Sequence, residues 1–318
     1  MVDSARGLVS GADLSGWVDR LLDVAGVTDP VTFTQLDRLI DSANATPDDW
    51  QAIIDDLTAN RDDSDAFVVL HGTDTMAYTT AALSYALTDF DRPVVVTGSQ
   101  YPLGVVGSDA APNVIGAVTA ATSGKAPGVS LFFGHELIAG ARATKASSWA
   151  YDGFDSPNVP PLAVTGAPWR WNTSAIGRGC GWADPQPFTR HDVVVIDLCP
   201  GITAARLAAL LDPPPEAVIM RAYGVGNAPD EKPGLADVIA GATASGVAIV
   251  AVSQCPQATV QLGHYETGDA LARAGVVGGA DMTLEAVFAK IVFLLSQGLR
   301  GADLTAWMPM NIAGELTE

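Results

Sequence analysis

Ala66-Phe67-Val68-Val69-Leu70-His71-Gly72-Thr73-Asp74-Thr75 is the stretch on which the fold turns. Five apolar residues in a row suit a strand buried on both faces. The run stops at His71-Gly72, and Met76, Thr80, Leu83 and Leu87 then recur at helical spacing. Two hydroxyls and a carboxylate therefore stand where a strand ends and a helix begins. Open α/β sheets bind ligands at such places, because backbone N–H groups and the positive helix end converge there. For this one junction, taken alone, helix capping by Thr73, Asp74 and Thr75 is the simpler reading.

The same alternation extends outward. Apolar runs at 93–97, 129–133, 193–198, 217–223 and 247–253 alternate with helical patterns at 48–60, 76–87, 110–121, 203–211, 235–245 and 283–297. This predicts an α/β fold: a larger N-terminal open, mostly parallel sheet with helices on both faces, plus a smaller C-terminal α/β domain. The stretch 151–182 is rich in Gly, Pro and Trp, lacks a period and reads as irregular connection. Its tryptophans, together with Trp149, read as packing residues. The seam falls at Asp184-Pro185-Gln186-Pro187, giving domains at 1–187 and 188–318.

Composition narrows the function. The 318 residues are 48% hydrophobic and carry a net charge of −19, which argues against nucleic acid and anionic membranes as partners. No apolar run is long enough for a transmembrane helix, and no secretory leader is visible. Cys180, Cys199 and Cys255 are widely spaced, so neither a zinc site nor a disulfide framework is indicated, and a reduced cytoplasmic setting fits. No metal-ligand spacing or phosphate loop appears, and no cofactor is called for. Only four lysines occur, so Lys145, just after a strand, stands out. Asp41-Ser42-Ala43-Asn44 is a polar cluster just before a helix start, and other polar segments end or follow strands: Thr97-Gly98-Ser99-Gln100, Arg142-Ala143-Thr144-Lys145 and Tyr223-Gly224-Val225-Gly226-Asn227. Several polar strand ends in one α/β domain point to a shared site.

Together these motifs resemble the bacterial-type L-asparaginases, type I (cytoplasmic) branch. The likeness rests on His71-Gly72-Thr73-Asp74-Thr75-Met76-Ala77-Tyr78, Asp41-Ser42, Thr144-Lys145, Tyr223-Gly224-Val225-Gly226-Asn227 and Gly278-Gly279-Ala280-Asp281-Met282-Thr283. It implies hydrolysis of the L-asparagine side-chain amide to L-aspartate and ammonia. Thr73, Lys145 and Asp74 would form the catalytic triad, with Asp41, Ser42, Ala43 and Asn227 as substrate-binding residues. Thr144, Arg221 and Cys255 would match a regulatory asparagine site. A homodimer or homotetramer is implied, Asn227 reaching a neighbouring subunit's site. The residue chemistry agrees independently, because a carboxamide needs an activated nucleophile and donors aimed at the oxyanion.

The resemblance breaks at the start. The family's first signature, Thr-Gly-Gly-Thr-Ile-Gly-Met, supplies its primary nucleophile, whereas this chain opens Met1-Val2-Asp3-Ser4-Ala5-Arg6-Gly7, like the segment just after it. Leu8 stands where family members often carry an activating loop tyrosine. Loss of a five-residue buried strand would forfeit on the order of 10 kcal/mol. The expectation is that the natural protein begins upstream, and that the chain as given has little or no amidase activity. The competing reading is a catalytically silent asparagine-binding protein. A third, an amidotransferase subunit that feeds ammonia to a transfer-RNA-modifying partner, fits the acidic surface poorly.

Overall fold

The computed structural model describes residues 2–4, 7–9, 14–36, 39–172, 179–229, 234–262 and 266–318. Its contacts divide the chain into two compact units, Met1–Ala175 and Ile176–Glu318.

The first unit opens with a short antiparallel hairpin, β1 (Val2–Ser4) with β2 (Gly7–Val9), followed by α1 (Ser15–Val24). A 3-10 turn at Ser42–Asn44 leads to α2 (Pro47–Ala59). Pro47 occupies the first helical turn of α2, and the Asp49 carboxylate accepts from Thr46 N and Thr46 Oγ1, both at 2.8 Å. Then follow β3 (Phe67–Leu70), α3 (Met76–Ala86), β4 (Val94–Thr97), α4 (Ala110–Thr122) and β5 (Val129–Phe133). β3, β4 and β5 are mutually parallel. Beyond β5 the sheet turns antiparallel through β6 (Glu136–Ala139), then, after β7 (Thr144–Lys145) and β8 (Phe154–Asp155) have formed a separate pair, through β9 (Ala163–Val164) and β10 (Arg170–Trp171). The sheet order is β10-β9-β6-β5-β4-β3.

Three expectations need correction here. The stretch 151–182, read as irregular, contributes β8, β9 and β10; two-residue strands are too short to show a period. Trp169 stacks on Phe132 and Trp171, and Trp182 packs on Phe293 and Trp307, but Trp149 is exposed rather than packed. β3 was also expected to be buried on both faces. Among the described residues it lies at the end of the sheet order, paired only with β4, and all four of its residues keep some exposure, whereas β4 is fully buried. Val68 and Leu70 of β3 pack against Val18, Leu22, Val114 and Val118 of α1 and α4.

The second unit carries a four-stranded parallel sheet in the order β11 (Val193–Asp197), β12 (Ala217–Ala222), β13 (Ala248–Ser253) and β14 (Val277–Gly278). The crossovers are α5 (Ala204–Leu210), α6 (Leu235–Ala244) and α7 (Glu266–Arg273). Parallel neighbours require such crossover connections. Val218, Met220, Ile249, Leu207 and Ile239 form one buried core. α8 (Leu284–Ser296), buried along most of its length, and α9 (Gly301–Trp307) complete the unit. Residues 179–190 pack with this unit because Cys180 N and Gly181 N donate to Asn311 O and Ile312 O, and Thr189 N donates to Ser296 Oγ. The break between units therefore falls before the Pro-rich seam at 187. Among the described residues, no helix is long and apolar enough to cross a membrane.

Candidate active site

Register places the site. β3 and β4 run parallel with Leu70 opposite Thr97, so both strands end at one level. His71 N donates to Thr97 O at 2.8 Å, which extends the pairing one residue past β3. His71-Gly72-Thr73-Asp74 and Gly98-Ser99-Gln100 therefore lie side by side at the carboxyl edge of the sheet, where α/β sheets place ligands.

The third component arrives from the antiparallel arm. After β6, a 3-10 turn at Gly140–Arg142 packs on α3 beside Thr80 and Ser84, and β7 follows against α3. This path brings Lys145 back to the start of α3. Its Nζ donates to Thr73 Oγ1 at 2.9 Å and to Asp74 Oδ1 at 2.7 Å. The lysine side chain is 19% exposed, whereas that of Asp74 is 56% exposed. The ammonium is thus largely enclosed, and the carboxylate faces outward, available to a ligand.

Helix capping does not account for these residues. The N-cap of α3 is Thr75, and no side chain caps the helix. Thr75 Oγ1 instead donates to Ser42 O at 2.7 Å, and Asp74 N donates to Ser42 Oγ at 3.3 Å. Ser42, buried, ties the 41–44 turn to the 72–75 segment. Asp41 caps that turn by accepting from Ala43 N at 3.3 Å, with Asp41 and Ala43 both exposed. Asp41, Ser42, His71, Gly72, Gly98 and Ser99 line a shared cleft.

His71 supports the floor. A carbonyl only accepts, so Nδ1 donates to Gly72 O (2.7 Å), and Nε2 of the neutral ring accepts from Thr79 Oγ1 (3.0 Å). Desolvation holds its pKa below the ordinary 6.5, only partly opposed by the Gly72 hydrogen bond and by Asp49.

In the second unit, Arg221, next to last in β12, pairs with Asp197 Oδ1 at 3.0 Å. Cys255, exposed, follows β13, its N–H donating to Ser253 Oγ at 3.0 Å. Asn227 closes a turn on Tyr223 through backbone bonds in both directions, with Gly224 and Gly226 at positive φ. In the first unit, Thr144 lies opposite Asp155 in the β7–β8 pair.

The structure thus brings Ser42, Thr73, Asp74 and Lys145 into one bonded cluster flanked by Asp41 and Ala43. Sequence reasoning missed Asp109. Its buried carboxylate accepts from Gln100 N and Tyr101 N, both at 2.9 Å, and from Asn113 Nδ2 at 3.0 Å. The signal was an Asp and an Asn four residues apart at the start of an otherwise apolar helix.

Comparison with known proteins identifies the family. Residues 2–176 match the family model described as Asparaginase, N-terminal, and residues 192–308 match the Glutaminase/Asparaginase C-terminal domain. The chain is similar to L-asparaginase 1 of Escherichia coli (strain K12), with 44% identity over 287 residues, 90% of this chain and 85% of that protein. Its fold superposes on the crystal structure of L-asparaginase I from Vibrio cholerae O1 biovar eltor with a TM-score of 0.88 at 36% identity, covering 100% of this chain and 95% of that one. The thermostable L-asparaginase from Thermococcus kodakarensis gives 0.81 at 30% identity, with the same coverage of both chains. With both units matched by its models and nine-tenths of the residues aligned to such a relative, the chain belongs to the asparaginase family.

Proposed function

We propose that this protein is an amidohydrolase that converts L-asparagine to L-aspartate and ammonia, with Thr73, Lys145 and Asp74 at the reacting centre. One observation carries the reading: a single lysine Nζ lies within hydrogen-bond distance of a hydroxyl and a carboxylate that follow the carboxyl end of the parallel strand β3. The relatives named L-asparaginase support the choice of substrate.

In this reading Lys145 is the proton-transfer group. Its Nζ takes a proton from Thr73 Oγ1, or from a water held there, as that oxygen adds to the carboxamide carbon. The amide C–N bond breaks as the proton passes to the departing nitrogen, which leaves as ammonia; where Thr73 Oγ1 is the attacking oxygen, water then cleaves the resulting ester, which frees L-aspartate and restores the hydroxyl. Asp74, half exposed, serves the substrate's α-ammonium and orients Lys145, while Asp41, Ser42 and Ala43 hold the amino-acid end. Asn227 completes the site of a neighbouring subunit in a homodimer or homotetramer. Regulatory asparagine binding at Thr144, Arg221 and Cys255, and a cytoplasmic location, belong to the same proposal.

A second reading has its own observation. The Thr-Gly-Gly-Thr signature expected of the family does not occur in these 318 residues. In that case the chain binds asparagine without turning it over.

Ammonia release and calorimetric binding of L-asparagine separate the two. The first reading expects turnover that falls about 10²–10⁴-fold in Lys145→Met and in Thr73→Val, the range for loss of a proton-transfer group. A Lys145→Met protein that hydrolyses asparagine at the parent rate defeats it. Binding without turnover by the parent chain favours the second reading.

A further inference from the structure

We propose that Gln100 is a positioning residue that sets the reach of Lys145 by tethering the hairpin on which the lysine is carried. This rests on the role given to Lys145 above. Lys145 sits on β7, which pairs with β8 through Lys145 opposite Phe154 and Thr144 opposite Asp155. The hairpin turn between them is closed by Ala146 N and Ser147 N, both donating to Gly153 O. A two-residue strand pair has little cohesion of its own. Its tip is held from outside: Gln100 Nε2 donates to Ser147 O at 3.0 Å and to Ala150 O at 3.1 Å.

The other end of the tether is anchored in the core. Gln100 N and Tyr101 N donate to the two oxygens of Asp109. Asn113 Nδ2 donates to the same carboxylate and to Gly98 O at 2.9 Å, while Asn113 Oδ1 accepts from Gly134 N at 3.0 Å. Asp109, at the N-cap of α4, and Asn113, in its first turn, are both buried. The strand end after β4 is thereby locked to the helix, and the Gln100 carboxamide transmits that position to the lysine hairpin. There is little slack: a Cβ added at Gly153 would come within 3.0 Å of Gln100 Nε2. Both acceptors at the tip are carbonyls, so only a donor fits between them. A glutamate of the same shape would fill the space and repel both.

That contrast makes the test. The chain contains four lysines, so lysine labelled with ¹³C at Cε yields four side-chain signals, and loss of one in Lys145→Met assigns it. In the parent, Thr73→Val moves the Lys145 signal, because the two groups touch. In Gln100→Glu and Gln100→Ala the expected result is a displaced Lys145 signal that no longer responds to Thr73→Val, with the other lysine signals in place. Asparagine hydrolysis falls about 100-fold in kcat, the scale of a 1 Å misplacement, with KM little changed. Should Gln100→Ala fail to fold, the isosteric Gln100→Glu carries the test. A Lys145 signal in Gln100→Glu that matches the parent and still responds to Thr73→Val overturns the proposal. The signals report the tether without turnover, so hydrolysis that survives in Lys145→Met defeats the functional reading and leaves this one standing.

Discussion

Replacing Glu315 with alanine strands a charge in the middle of the second unit. Lys290 lies on α8 with no exposed side-chain surface, and Glu315 is equally enclosed. Nζ donates to Glu315 Oε1 at 2.6 Å, to Met308 O at 3.0 Å and to Met310 O. Glu315 also accepts from Ile312 N, at 3.0 and 3.1 Å to its two oxygens, and from Ala313 N at 2.7 Å. Desolvation pushes the lysine below its ordinary range, and the carboxylate works against that shift. Removing one partner of a buried pair costs about 3–5 kcal/mol. That is a large share of a typical domain stability of about 5–15 kcal/mol. Glu315→Ala also leaves two backbone N–H groups without their acceptor, so the upper part of the range applies. The double variant Lys290→Met/Glu315→Gln keeps an acceptor for those N–H groups and removes the charge, so it is expected to be more stable than Glu315→Ala by at least about 1 kcal/mol. Urea unfolding at pH 7 measures all three against the parent, with unchanged m-values required. A loss below about 1 kcal/mol for Glu315→Ala, or a double variant less stable than Glu315→Ala, would refute the argument.

Two further outcomes follow from particular contacts. His71 has a folded-state pKa below 6.5, so the unfolded chain binds more protons as acid is added; its contribution to stability is complete above pH 6.5 and is lost as pH falls toward the folded pKa. The slope is at most about 1.4 kcal/mol per pH unit, and in urea titrations His71→Gln should flatten it; an unchanged profile counts against neutral His71 as the cause. Asp281 accepts from Thr317 N at 2.8 Å and Thr317 Oγ1 at 2.6 Å, so Asp281→Ala should cost about 1–3 kcal/mol and speed amide exchange near the C-terminus, and protection equal to the parent would contradict this.

The legible parts of this protein were those written in local pattern. The 66–76 junction, the helix at 110–122 and the parallel strands of the second unit all declare themselves within a dozen residues, because burial and helical spacing repeat at short range. Lys145 was legible for a different reason: lysine is scarce here, and this one follows a strand. What stayed hidden was non-local. β9 joins the sheet by pairing with β6, more than twenty residues earlier, and β10 is then added to its edge by pairing with β9. The work of Asp109 shows only once its carboxylate meets the backbone of Gln100 and Tyr101. The partial exposure of β3 could not be read from Phe67–Leu70, since an apolar run states that a strand prefers burial and not how many neighbours it obtains.

The two glycines at the strand ends show how closely the site depends on that pairing. A Cβ at Gly72 would collide with Ser42 Oγ, and one at Gly98 would collide with His71 O and come within 2.7 Å of Met76 Cε. Met76 can shift its methyl, but His71 O belongs to a backbone held by the bond from His71 N to Thr97 O. Gly98→Ala must therefore part the ends of β3 and β4 just where Thr73 begins its approach to Lys145. Overpacking of this kind costs about 1–3 kcal/mol. The displacement also enters the site, because the His71 carbonyl belongs to the peptide leading into Gly72 and Thr73. Gly98→Ala is thus expected to lower the urea midpoint and to weaken L-asparagine binding by calorimetry, whereas Gly241→Ala, within α6 with no atom near the added carbon, should leave binding unchanged and raise stability by about 0.5–1 kcal/mol through helix propensity. A Gly98→Ala protein with parental stability and binding would mean that the strand ends can separate freely, and the geometry joining Thr73, Asp74 and Lys145 would lose its foundation.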